Sequence, residues 1–236
     1  MSILWILLGI VLFCTAATLA ISYGCFRMGF YAPRKKKVDS DAIETPEGAI
    51  YDPYRSKMEQ WVREARQLPR QHFTVQSFDG LTWVNFLVNH FGPDVKIILT
   101  GISMGAATVM MTADKDLPPN VLGILADCGY SSPKAIICKV IRDMKLGARI
   151  FGHFDLEEGS PEEALRNAKV PVIFYHGEAD DFVPCDMSRS NYEVCASRKA
   201  LITIPGAGHG LSYALDPEHY LQTLSDFFGP EGTAKK

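Results

Sequence analysis

Strong net charge is missing from this 236-residue chain: 24 Lys and Arg face 27 Asp and Glu, a formal balance of −3. Without a basic excess there is nothing to track a phosphate backbone, so nucleic-acid binding is excluded as a function class. The six cysteines, Cys14, Cys25, Cys128, Cys138, Cys185 and Cys195, form no C-x-x-C and no zinc-like spacing. Their scatter suits free thiols in a reducing compartment. His72, His90, His153 and His219 sit in no motif and no paired ligand spacing, so neither a metal nor a cofactor is expected. Internal repeats and low-complexity tracts are absent as well.

Charge is also missing from the whole of residues 2–26. Within them, residues 3–23 are almost wholly apolar and long enough to cross a hydrocarbon core of about 30 Å as a helix. A cleaved signal peptide is the rival reading, with Thr18-Leu19-Ala20 as the small-residue site. No Lys or Arg precedes the run, and the run is long for a signal, so a retained anchor over residues 1–26 is expected. Arg27, Arg34, Lys35, Lys36 and Lys37 all follow it. The positive-inside bias then sets a single-pass topology with the remaining chain in the cytoplasm. Cys25, at the membrane end, is a candidate for acylation, though a plain cysteine is the simpler reading.

Residues 27–70 read as a basic flank, an acidic linker over 38–53, and an amphipathic helix over 54–67 with Met58, Trp61, Val62 and Ala65 on one face. Pro69 stops that helix. Alternation at Phe73 and Val75 and the Asp79-Gly80 turn predict a β-hairpin beginning in 72–82. A helix is predicted over 83–91, with Trp83, Phe86, Leu87 and His90 on one face. Strands follow at 95–99, 121–126, 171–175 and 201–204. Helices are expected at 133–144, at 160–168 behind a capping box at Ser160 and Glu163, at 186–197, and at 217–228. The last buries Leu221, Leu224 and Phe228. Strands alternating with helices argue for a parallel α/β sheet over 71–236, with 133–169 as a helical, cap-like region.

The 95–99 strand runs into Gly101-Ile102-Ser103-Met104-Gly105, after which Ala106, Ala107, Val109, Met110 and Met111 resume at helical spacing. Strand, tight turn and helix are the setting in which G-x-S-x-G is a nucleophile elbow. The turn lifts the Ser103 hydroxyl clear of the sheet and aims the Met104 N–H at a developing oxyanion. A serine needs a base, and an imidazole needs a carboxylate to fix its tautomer. Two later loops at strand ends carry both: His176-Gly177-Glu178-Ala179-Asp180-Asp181-Phe182-Val183-Pro184 and Gly206-Ala207-Gly208-His209-Gly210. Loops at the carboxyl ends of parallel strands share one rim, so Ser103, Asp180 and His209 can meet there.

From residue 83 to the carboxyl terminus, and through the hairpin before it, the chain resembles an α/β-hydrolase. The branch is serine aminopeptidase-like and acylglycerol-lipase-like, close to small membrane-anchored bacterial members. His176, Gly177, Asp180, Val183 and Pro184 match its His-Gly-x-x-Asp-x-x-Val-Pro pattern, which selects Asp180 over Asp181. Gly208-His209 matches its histidine loop. The resemblance implies hydrolysis of an ester or related acyl bond of a small substrate through an acyl-Ser103 intermediate. Peptidase and thioesterase chemistry fit the same triad. His176 reads as a structural strand-end histidine, Asp181 as a cap or outer acceptor, and Cys185 as packing. The apolar stripe over 136–150 reads as helical core or as the roof of an acyl pocket.

One departure from the family is large. Two core strands and a helix, with the loop that gives the second oxyanion N–H, have no counterpart at Thr82-Trp83, as in an internally deleted relative. The strand before Ser103 then loses a neighbour, and a shorter join is expected near Leu146-Gly147. A catalytically impaired, membrane-anchored interaction domain is accordingly the rival from another class.

Overall fold

The computed structural model describes residues 2–30, 42–76, 80–144 and 159–229. The basic run Arg34–Lys37, the start of the linker, Asp79, the Leu146-Gly147 join and His153 lie outside these. So do the side chain of Cys25 and the stripe beyond 144. The chain divides into two compact units, Met1–Ala42 with Ile137–Leu156 and Ile43–Ile136 with Glu157–Lys236.

In the first unit, residues Ser2–Phe30 form one helix of 29 residues, α1, about 43 Å long at 1.5 Å per residue. Among the described residues no helix is long and apolar enough to cross a membrane.

The second unit is built on four parallel strands in the order β1-β2-β3-β4: Ile97–Ile102, Val121–Asp127, Val172–Gly177 and Lys199–Ile204. Every strand pairs with the next in the sequence, so each crossover carries a helix, and the strands' carboxyl ends line one rim. Register pairs Ile102 with Asp127, Asp127 with Tyr175 and Gly177 with Ile204. The ends of β1 and β2 are thus level, and β3 and β4 run together two residues further along the same rim. Ile124, Val172, Ile173 and Phe174 are fully buried, each such side chain contributing about 1.5–3 kcal/mol on leaving water. One sheet face packs Ala106, Met110 and Leu165, and the other packs Tyr220 and Phe227.

The helices are α2 (Arg55–Gln67), α3 (Gly80–Phe91), α4 (Met104–Met110), α5 (Pro133–Met144), α6 (Pro161–Arg166), α7 (Cys185–Val194), α8 (Ser212–Leu215) and α9 (Pro217–Phe228). Several expectations need correction. No strand forms over residues 71–76, and α3 already begins at Gly80, so the hairpin expected at 72–82 is absent from the described residues. The face of α3 turned to the sheet is Val84, Leu87 and Val88. Trp83, Phe86 and His90 instead stack among themselves and with Phe73. Ser160 precedes α6 without a side-chain cap, its hydroxyl turning to the Ser131 carbonyl at 3.4 Å. In α9 it is Tyr220 and Phe227 that are buried, while Leu221 is exposed. The end of the linker is also ordered: Asp52–Tyr54 forms a 3-10 turn, and Tyr51, Tyr54, Met58 and Trp61 pack on Ala207, Leu211 and Ala214.

β1 has β2 on one side and, among the described residues, no strand on the other. The strand that carries the serine turn is therefore an edge strand.

Candidate active site

Ser103 stands between β1 and α4 with φ 55° and ψ −115°. A non-glycine residue in that region holds roughly 1–3 kcal/mol of backbone strain and persists only where its surroundings impose it. The imposition is visible. The Ser103 N–H donates to the Asp127 carbonyl at 2.8 Å, continuing the β1–β2 ladder past the strand end. Gly101 backs directly onto the first turn of α4, where a Cβ would fall 2.2 Å from the Gly105 carbonyl carbon. Gly105 itself meets nothing within 4 Å. Only the first glycine of the motif is required sterically in this structure. Among the described hydrogen bonds none is donated by the Met104 N–H, and Met104 is 70 % exposed.

The acid and histidine loops are joined along their backbones. Glu178 N–H donates to the Ile204 carbonyl at 3.0 Å and Ala179 N–H to the Ala207 carbonyl at 2.9 Å. Gly177 permits this approach, since a Cβ there would lie 2.2 Å from the Ala207 oxygen. The result is a 2.7 Å hydrogen bond from His209 Nδ1 to Asp180 Oδ2. A carboxylate only accepts, so Nδ1 carries the proton and Nε2 keeps its lone pair. Phe182 packs edge-on against the imidazole, ring centres 5.0 Å apart.

Asp180 is held from all sides. Its Oδ1 accepts the N–H groups of Phe182 at 3.0 Å and Val183 at 2.8 Å, and its Oδ2 also lies 3.3 Å from His176 Nε2. Burial by itself raises the carboxyl, but the bonds from His176, His209 and the Val183 N–H outweigh it and hold Asp180 well below the usual carboxylate range. His176 is fully buried. Its Nδ1 accepts from Ser188 at 2.7 Å and its Nε2 donates to the Val183 carbonyl at 2.8 Å. It occupies the structural role its position at the strand end suggests, with a hand on Asp180 as well.

Ser103 comes to the same rim. Ile102, just before it, is level with Asp127, and a Cβ on Gly210, just after His209, would lie 3.5 Å from Ile102 Cγ2. No hydrogen bond joins the Ser103 hydroxyl to His209 among the described residues. In unliganded sites such bonds are commonly long and tighten only with substrate.

Two features had no sequence signal. Cys128 Sγ, Asp180 and His209 offer ligand atoms within 4.8 Å of one another. Burial, then the Asp127 charge, pushes the Cys128 thiol up to about 12, so it stays protonated. In this group Asp180 and His209 are bonded to each other, with the Cys128 thiol beside them. Tyr51, from the linker, is the second: burial, then nearness to Asp180, Cys128 and Asp181, raises its phenol. Ile50 beside it touches the position of Gly208.

No family model matches the chain. It is 26% identical over 152 residues to protein bem46 of Schizosaccharomyces pombe (63% of this chain, 49% of that one). It is 24% identical over 151 residues to the uncharacterized protein YqkD of Bacillus subtilis (59% and 48%). The chain thus spans about half the length of the curated relatives it matches. Among solved structures it is similar to a Mycobacterium tuberculosis puromycin-hydrolyzing peptidase (TM-score 0.51, 20% identity, 63% of this chain and 24% of that one). An acylaminoacyl peptidase of Pyrococcus horikoshii is comparable (TM-score 0.50, 18% identity, 62% and 26%). At such identities the likeness shows a fold. That fold is a parallel α/β sheet with flanking helices.

Proposed function

We propose that the chain is a serine hydrolase acting on an ester or related acyl bond through an acyl-Ser103 intermediate. The observation that carries this reading is the 2.7 Å bond from His209 Nδ1 to Asp180 Oδ2, formed on the rim where the strained Ser103 turn emerges. His209 Nε2 takes the Ser103 Oγ proton as the oxygen attacks the acyl carbon. Charge gathers on the former carbonyl oxygen, where the Met104 N–H donates. The leaving group departs with the proton from Nε2. Water then repeats the sequence, its proton passing to Nε2 and back to Ser103 as the acid is released. Asp180 keeps the imidazole in the productive tautomer and steadies its charge. Substrate choice, whether ester, peptide or thioester, lies in the pocket walls and not in this triad.

Reaction of the full chain with a fluorophosphonate probe tests the reading. Labelling at Ser103 is expected, and its absence in folded protein sinks it. That outcome favours the second reading, an inert interaction domain, whose support is the open edge of β1. The same edge supports an internally deleted relative lacking the segment expected at Thr82-Trp83. We further propose that α1 anchors the protein in a membrane, the hydrolase unit facing the cytoplasm. An external protease should then leave that unit uncut in intact cells.

A further inference from the structure

The buried group that the mechanism leaves unused is Asp127, the last residue of β2, 2 % exposed. Its carboxylate has no cationic partner in hydrogen-bond range among the described residues. Oδ1 accepts from the Ser212 hydroxyl at 2.9 Å and Oδ2 from the Tyr220 hydroxyl at 3.3 Å. Burial raises this carboxyl above its usual value. The Ser212 bond, the nearby His176, the Tyr220 bond and His209 offset part of that. A core site of this kind is better filled by an apolar side chain unless the oxygens do something.

What they hold is specific. Ser212 is fully buried at the first position of α8, three residues beyond His209, and α8 is a single turn that the histidine loop enters directly. Meanwhile the main-chain oxygen of the same Asp127 receives the Ser103 N–H at 2.8 Å. One residue therefore grips the nucleophile turn with its backbone and the exit of the histidine loop with its side chain. Tyr220 belongs to α9 and bonds the same carboxylate without belonging to either loop.

We propose that Asp127 is a positioning residue that fixes the His209 loop relative to Ser103 through its bond to Ser212. This rests on the serine-hydrolase reading for its catalytic consequence but not for its geometric one. A loop released by about 1 Å loses on the order of 10- to 100-fold in rate, because Nε2 no longer meets the serine proton.

The test uses the full chain in detergent, with two readouts. One is the fluorophosphonate labelling rate at Ser103. The other is the downfield proton resonance of His209 Nδ1–H, which reports the bond to Asp180 whether or not the protein turns over. Ser212→Ala and Asp127→Leu are expected to slow labelling about 10- to 100-fold and to broaden or shift the resonance. Asp127→Asn, whose amide oxygen still accepts from Ser212, recovers most of what Leu loses. Tyr220→Phe removes an equally buried hydroxyl from the same carboxylate and stays within about threefold on the same scale. Should Asp127→Leu fail to fold, Ser212→Ala alone decides. A folded Ser212→Ala protein with unchanged resonance and rate overturns the proposal, as does equal loss in Tyr220→Phe. A wild-type protein with the resonance but no labelling overturns the hydrolase reading, and the resonance in the variants still decides the positioning role.

Discussion

Gly101 and Gly105 belong to one pentapeptide, yet only Gly101 has its Cβ position occupied, by the backbone of Gly105 itself at 2.2 Å. Main chain cannot step aside as a side-chain tip can. Gly101→Ala should therefore cost about 1–3 kcal/mol as an overpacked site and slow labelling at Ser103. Gly105→Ala lies within α4 and meets open space, so it should stabilise by about 0.5–1 kcal/mol through helix propensity. Urea unfolding of the two variants checks the contrast. Equal destabilisation would refute this account of the turn.

Ser103 is the nucleophile the reading depends on. Ser103→Ala should lower any hydrolytic turnover roughly 10⁴-fold or more, as in triad knockouts. It should also relieve little of the turn's strain, because alanine is no better suited to φ 55° than serine. Turnover of a p-nitrophenyl ester, with unfolding monitored in parallel, gives both numbers. Retained turnover in the folded variant is the outcome that sinks it.

Much of this architecture is legible in the sequence. Three strands, and the helices at Arg55–Gln67, Pro133–Met144 and Pro217–Phe228, fall close to where apolar periodicity and proline punctuation place them, while β1 starts at Ile97 and runs on to Ile102, past the expected end at Leu99. Asp180 and His209 are found by motif, and the structure brings them to 2.7 Å. The failures have physical reasons. Phe73 and Val75 alternate as a strand does, but alternation names a face only when a neighbouring strand exists to pair with, and residues 71–76 have none. Tyr51 and Asp127 carry no motif, because their side chains act on distant parts of the chain: Tyr51 packs on Ala207 and Leu211, and Asp127 bonds Ser212, 85 positions on. Leu221 loses its place in the core to Tyr220, whose ring stacks on Tyr175 at 3.8 Å.

Asp180 sets a pH expectation. Its carboxyl is lower in the folded chain than in the unfolded one, so its contribution to stability is fully present above the unfolded value, about 3.9. That contribution is lost as pH falls from there through the folded value. The stability difference between wild type and Asp180→Asn should stay constant from pH 7 to about pH 4 and shrink only below it. The same variant should lose about 10⁴ in turnover at neutral pH through the wrong imidazole tautomer. A difference that closes between pH 7 and 5 would show that the hydrogen bonds from His176, His209 and Val183 do not govern the carboxyl.

The cysteines give a probe of the folded state. Cys128 is buried beside the site with its thiol pushed up to about 12, and Cys195 is buried, while Cys138 is exposed. Reaction goes through the thiolate, so both burial and protonation protect Cys128. In native protein at neutral pH, iodoacetamide should modify Cys138 and leave Cys128 and Cys195 unmodified until denaturant is added. Peptide mass mapping reads this directly. Rapid native modification of Cys128 would mean that its thiol is reached by solvent in the folded chain.

The edge of β1 carries the remaining prediction. Strand Ile97–Ile102 pairs only with β2 among the described residues, and the serine turn hangs on its end. An edge strand with unpaired N–H and C=O groups invites pairing with another chain. The resemblance to α/β-hydrolases implies that a neighbour on that side brings a second donor to the oxyanion, and one such donor is worth about 10²–10³ in turnover. Because α3 runs unbroken from Gly80, the Thr82-Trp83 junction lies in its first turn, and an added strand–loop–strand segment belongs ahead of Gly80. With a relative's segment inserted there, the protein should shift from concentration-dependent association towards monomer, and labelling at Ser103 should rise by about 10²–10³. Sedimentation and labelling rate measure the two effects on one sample. A 236-residue chain that is already monomeric and labels as fast as the insertion variant would show that β1 holds Ser103 without a second neighbour.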